Sequence, residues 1–129
     1  MLTDVHSEVI FSESHAAGTG ASGAGTALDT TGCNGGMGIA ICNATAAAGS
    51  FKLTESATSG GTYTDCATTD YPNDVVTVEA VNGNAYLKFD MNRGDKPFLK
   101  VYVTHSGSGK EAVQWGVPGG HQYPVTQGS

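Results

Sequence analysis

The feature that most restricts what this chain can fold into is a rhythm. Short runs that alternate apolar and polar residues recur about ten residues apart, separated by Gly, Asn, Asp and Pro. Phe51 and Leu53 alternate with Lys52 and Thr54, and Val76, Val78 and Ala80 with their polar neighbours. Ala85, Leu87 and Phe89 then alternate with Tyr86, Lys88 and Asp90, and Leu99, Val101 and Val103 with Lys100, Tyr102 and Thr104. Val113, Trp115 and Val117 close the series. Alternation of this kind is the period of a half-buried strand, and no stretch of useful length carries the helical period. The expectation is an all-β protein, an antiparallel β-sandwich of jelly-roll-like form with eight or nine short strands. At 129 residues it is one domain, 1–129.

The clearest local unit is the stretch 51–66, FKLTESATSGGTYTDC, read as two strands joined by a turn at 56–61. Before it, residues 5–11 form a first strand with Val5, Val9 and Phe11 on one face. Residues 14–25, almost all small and with four glycines, read as a flexible linker or arm. In 37–42, Met37, Ile39 and Ile41 point one way and Gly38, Ala40 and Cys42 the other, which suits a strand whose small-residue face packs close to something. The segment 43–50 leads from there into the hairpin. Asn82-Gly83 is the pair that best accommodates a type I′ turn, so 76–81 and 84–90 are expected to form a second hairpin. Residues 105–110 read as a further hairpin turn, and 117–129 as a C-terminal tail rich in Pro and Gly.

Charged residues make up only 14% of the chain, against roughly 25% in an average globular protein. Gly, Ala, Ser and Thr stand in their place, as on a turn-rich β-protein or one partly covered by neighbours. A formal charge of -6 with six scattered Lys and Arg argues against nucleic acid as a partner, because phosphate binding needs clustered cations. No apolar run approaches the ~20 residues of a membrane span, and the first residues lack the basic-then-apolar order of a secretory signal. The chain is expected to be soluble and made in the cytoplasm. Cys33, Cys42 and Cys66 show no CxxC spacing and read as small buried apolar residues, although one pair of them is free to meet across strands.

No motif for chemistry survives inspection. GSGK at 107–110 resembles the end of a phosphate loop, but Thr104 stands where Gly is needed and Glu111 where Ser or Thr would hold magnesium. His6-Ser7-Glu8 has half of a zinc-deaminase pattern without the PCxxC that completes it. His6, His15, His105 and His121 sit in no ligand spacing and read as surface or turn residues. Asp90, Asn92 and Asp95 share a turn that has oxygens to offer calcium, but Val101 occupies the position of the bidentate Glu. Arg93-Gly94-Asp95 matches an integrin-binding tripeptide of a kind that recurs by chance. No enzyme activity, catalytic residue, metal or cofactor is expected.

GTALDT at 25–30, FKLTESATSGGTYTDC at 51–66 and FLKVYVTHSGSGKEAVQWGVPGGHQYPV at 98–125 occur in the order seen in a group of small phage structural proteins, and the opening MLTDVHSEV matches their usual start. Over most of its length the chain therefore resembles the β-sandwich head-decoration, or cement, proteins of tailed phages, including short-tailed cyanophages. It departs from their pattern at Thr54, at the turn SATSGG, and at Pro97-Phe98-Leu99-Lys100, which replaces a basic run. The resemblance implies a homotrimer on the exterior of the capsid of the virion, with the major capsid protein as partner and no nucleic acid or membrane contact. An acidic, charge-poor surface fits an outer position away from packaged DNA. Candidate interface residues are Val5, Val9, Phe11, Trp115 and Tyr123, with a core position the plain alternative for Trp115. Two other readings are an adhesion module that binds host carbohydrate through Tyr63, Tyr71 and Tyr86, and a tail or baseplate component.

Overall fold

The structure is a computed structural model that describes residues 9–20, 22–33, 35–69, 71–105 and 107–118, with side chains from residue 11 onward except at 17–19. It is all-β and antiparallel, with eight strands in one hydrogen-bonded sheet that curls on itself. Strand β4 (Met37–Ser56), twenty residues long, is its spine. Along one edge β4 pairs with β6 (Thr77–Asp90), from Met37 opposite Asp90 to Lys52 opposite Thr77. Two strands share its other edge end to end: β7 (Phe98–Thr104) lies against 50–56 and β8 (Lys110–Pro118) against 39–45. Beyond β8 lies β1 (Val9–Thr19), and beyond β7 lie β2 (Gly23–Ala24) and β3 (Leu28–Asp29). The two-residue β5 (Thr64–Asp65) pairs with Thr54 and Glu55, completing the hairpin expected at 51–66.

All three strand tracks change at one level, and that is how the sheet turns its corner. β4 bulges between Ala44 and Ala48, with Ala46 at φ 70°, and opposite it Asn82 of β6 stands at φ 47°. The third track breaks outright, at the 105–109 connection between β7 and β8. Across the corner the inward positions change parity in both long strands. They run Ala40, Cys42 and Ala44 and then Phe51 and Leu53 in β4, and Val78 and Ala80 and then Ala85, Leu87 and Phe89 in β6. A bulge inserts residues on one strand and sharpens the local twist, which lets one face stay inside around the bend.

The sheet is drawn closed by the small-residue segment after β1. Thr26 N–H donates to Ser14 O at 3.0 Å and Gly25 N–H to Val101 O at 3.2 Å, so this segment bridges β1 and β7. The His15 ring donates from Nε2 to Gly23 O at 3.2 Å, and the Trp115 indole donates to Thr26 O at 3.2 Å. The fit is close enough that a Cβ on Gly25 would lie 2.4 Å from the Ser14 oxygen and 2.5 Å from the His15 ring. Inside, Gly38, Ala40, Cys42 and Ala44 leave room for the large side chains of the flanking strands. Phe89 of β6 and Trp115 of β8 meet over them edge to face, ring centres 5.6 Å apart.

Several expectations are corrected by this architecture. Asn82-Gly83 is not a hairpin turn: a type I′ turn needs two positive φ angles, and only Asn82 has one, within a strand that runs on. Segment 43–50 is strand throughout, so two expected strands merge into β4 and two into β6. The described residues within 14–25 form strand and bridge where an arm was expected, with Gly25 closely approached by Ser14 and His15. The turn at 105–110 joins β7 to β8, which pair with β4 and not with each other. His15, expected at the surface, is buried at 8% exposure. The all-β, antiparallel, eight-stranded expectation itself holds, with the strands hydrogen-bonded into one curled sheet.

Candidate interaction surface

The corner divides the outer face of the sheet into two fields. In the second, beside β7, the outward residues are Ser50, Lys52, Thr77, Glu79, Tyr102 and Thr104, an ordinary solvated face on which Lys52 Nζ lies 5.5 Å from the Tyr102 ring centre. In the first, beside β8, the register places Lys88, Ile39, Gly116 and Phe11 in one row and Tyr86, Ile41, Gln114 and Glu13 in the next, with Asp90 and Met37 flanking them. Phe11 and Tyr86 are each 54% exposed and Met37 39%, while Ile39 and Ile41 are half-buried. Gly116 leaves the valley between Phe11 and Ile39, since a Cβ there would come within 3.2 Å and 3.3 Å of their side chains. Next to it is a shallow cavity of about 280 Å³ lined by Glu13, Ile41, Asn43, Ala112 and Gln114 among others. Contiguous apolar side chains exposed on one side of a sheet are enriched at interaction surfaces.

The polar clusters lie elsewhere and are internal. The Arg93 side chain is fully buried and ties two connections to β4. Its Nη1 donates to Asp74 Oδ2, 2.6 Å away, its Nη2 to Glu55 Oε1 at 3.0 Å and to Cys66 Sγ at 3.6 Å, and the guanidinium lies 4.0 Å from the Tyr71 ring centre. Asp74 Oδ1 accepts from the Asp90 amide at 2.9 Å. Burial alone would lower the guanidinium's pKa, but the hydrogen bonds to Asp74 and Glu55 outweigh it and hold the pKa above the ordinary arginine value. This is a clamp on loops 66–74 and 91–96, and it withdraws the Arg of the Arg93-Gly94-Asp95 triplet from solvent.

At the corner, buried Glu111 accepts from His105 Nδ1 at 2.9 Å, and His105 Nε2 faces Gly107 O at 2.9 Å. The pair latches the 105–109 connection beside the β4 bulge.

Of the candidate interface residues, Phe11 stands in the exposed field. Trp115 is 1% exposed and belongs to the core, so the single chain offers no part of it to a partner. Val9 pairs with Pro118 through the backbone, while its side chain, Val5 and Tyr123 lie outside the described residues. Of the carbohydrate candidates, Tyr63 donates its hydroxyl to Ser59 O at 2.8 Å under Lys100, and Tyr71 lies against Arg93. Tyr86 alone of the three is more than half exposed. Asp90 Oδ1, read as a possible cation ligand, accepts from the Asn92 amide at 2.8 Å. All three cysteines are buried and none is in a disulfide, and burial pushes the thiols of Cys42 and Cys66 up to about 12, helped at Cys66 by Glu55.

No family model and no curated protein matches the chain. Its fold is similar to that of a solved structure, the SPBc2 prophage-derived protein YomS, with a TM-score of 0.60 at 16% identity over 86% of this chain and 93% of that one. The neighbour is a phage protein, and what the two share is the fold.

Proposed function

We propose that the chain is a virion structural protein, a decoration or cement protein that binds the exterior of a phage head and stabilises the shell. The observation that carries this reading is the fold shared with a prophage-derived protein over most of both chains, taken with the motif order at 25–30, 51–66 and 98–125. The molecule's resources also suit it. Arg93, Asp74, Glu55 and Glu111 are engaged in internal pairs, and an exposed apolar sheet face suits contact with protein better than chemistry on a small molecule. A cement protein adds contacts across joints between shell subunits, and weak contacts become firm when an assembly engages several at once. The trimer implied by the sequence resemblance would provide that multivalency, with the major capsid protein as partner.

Purified full-length protein added to shells lacking it should co-sediment with them and raise the temperature at which they release DNA. Failure to bind such shells overturns the reading. Exposed Tyr86 beside the cavity on the same face favours the adhesion reading if, instead, the protein binds host glycans and ignores shells.

A further inference from the structure

We propose that the outer face of the β6–β4–β8–β1 field is a self-association surface, occupied by the same face of a second copy of this chain. The inference is independent of the capsid reading, because it rests on the arrangement of the face alone. The centre of the field is apolar, with Ile39, Ile41 and Gly116 in the middle columns and Phe11 and Tyr86 toward opposite margins. The two exposed charges of the two central rows sit on opposite margins and have opposite sign: Glu13 on β1 and Lys88 on β6. A twofold axis parallel to the strands lays β6 of one copy over β1 of the other. It sets Lys88 above Phe11 of the second copy and within a side chain's reach of Glu13, one row along, twice over by symmetry. The surface is thus complementary to itself in charge. A copy carrying a net charge of -6 needs such a near-neutral patch to approach its like.

The size of the field sets the strength. Four strands about 4.8 Å apart and three rows about 6.8 Å apart give a footprint of roughly 400 Å² per copy. About 800 Å² in total is below the ~1,200–2,000 Å² of stable complexes. The pairing is therefore weak and reversible.

Sedimentation velocity on the full chain, over a hundredfold concentration range through the micromolar, reads it directly. A monomer–dimer equilibrium, or a doubling of a higher assembly formed through other surfaces, is expected. Phe11→Gln should weaken it about tenfold or more, and Lys88→Glu or Glu13→Lys alone roughly five- to tenfold with less dependence on salt. The double exchange Lys88→Glu with Glu13→Lys should restore it, a rescue that a misfolded variant does not show; circular dichroism checks that each variant is folded. A single species at every concentration overturns the proposal, as does association that is indifferent to all four variants. Shell binding by such a species would leave the capsid reading standing while this one falls.

Discussion

The two halves of β4 solve the same packing problem in opposite ways. Before the bulge its inward residues are Gly38, Ala40, Cys42 and Ala44, and its outward ones Met37, Ile39 and Ile41; after it the inward residues are Phe51 and Leu53, and the outward ones Ser50 and Lys52. The second half is a conventional strand, large inside and polar outside. The first half cedes its core volume to Phe89 and Trp115 from its neighbours and turns its own large side chains outward. Under the self-association proposed above, that difference separates stability from binding: substitutions in and around the second half act on the fold, whereas the outer face of the first half carries exposed apolar residues in which the fold has little invested.

The largest effect should come from the clamp that abuts the second half through Glu55. Arg93→Met leaves Asp74 buried without its cation, and losing one partner of a buried pair costs about 3–5 kcal/mol. Urea denaturation should show the loss as a lower midpoint with an unchanged slope. Replacing Asp74 by Leu in the same chain should recover much of it, because an apolar pair of similar volume removes the stranded charge. If Arg93→Met alone is nearly neutral, the clamp is not what holds loops 66–74 and 91–96.

Next in size is the opposite operation on the first half. Ala40, fully buried between Leu87 and Trp115 of the neighbouring strands, has no room to grow. Ala40→Leu should cost about 1–3 kcal/mol by forcing Phe89 and Trp115 out of their edge-to-face contact, visible as a changed near-ultraviolet spectrum of the single Trp. Ile41→Leu on the outer face should be almost silent by the same measurement.

A third expectation compares the halves by pH. Cys42 lies within the first half and Cys66 against the clamp, and both thiols are raised from 9.0 to about 12. In the unfolded chain they ionise near 9, so above that pH the unfolded state binds fewer protons than the folded one and stability falls as pH rises. The loss should begin near pH 9, continue toward 12, and amount to about 1 kcal/mol per pH unit for each thiol. Cys42→Ala and Cys66→Ala should each flatten that slope. A slope unchanged in both variants would place the alkaline sensitivity elsewhere.

Alternation made the strands legible, because each half of each long strand keeps a strict period of two. The orientation of 37–42 was legible too, small side in. What alternation hides is continuity. A parity change such as that from Ala80 to Ala85 is what a reader sees at a hairpin, and Asn82-Gly83 strengthens that reading, yet the same change arises when a bulge carries one face around a corner. Ala46 at positive φ opposite Asn82 gives no local signal, since Ala has no preference for that conformation. The Arg93 clamp was invisible for a different reason: Glu55, Cys66, Asp74 and Arg93 meet only after folding, and no spacing announces them. Glu111 shows one weak trace, a lone carboxylate on the inward parity of β8 with a histidine six residues before it.

The smallest effect on folding should come from the exposed field, and its smallness is the test. Phe11 is 54% exposed, so the fold has little invested in it, and Phe11→Gln should change unfolding free energy by no more than about 0.5 kcal/mol. If the substitution destabilises the chain as much as Ala40→Leu does, Phe11 is a core residue of the first half after all. The contrast between a half that folds and a face that binds then disappears. If stability holds while association or shell binding is lost, the two functions of the sheet have been separated by one side chain.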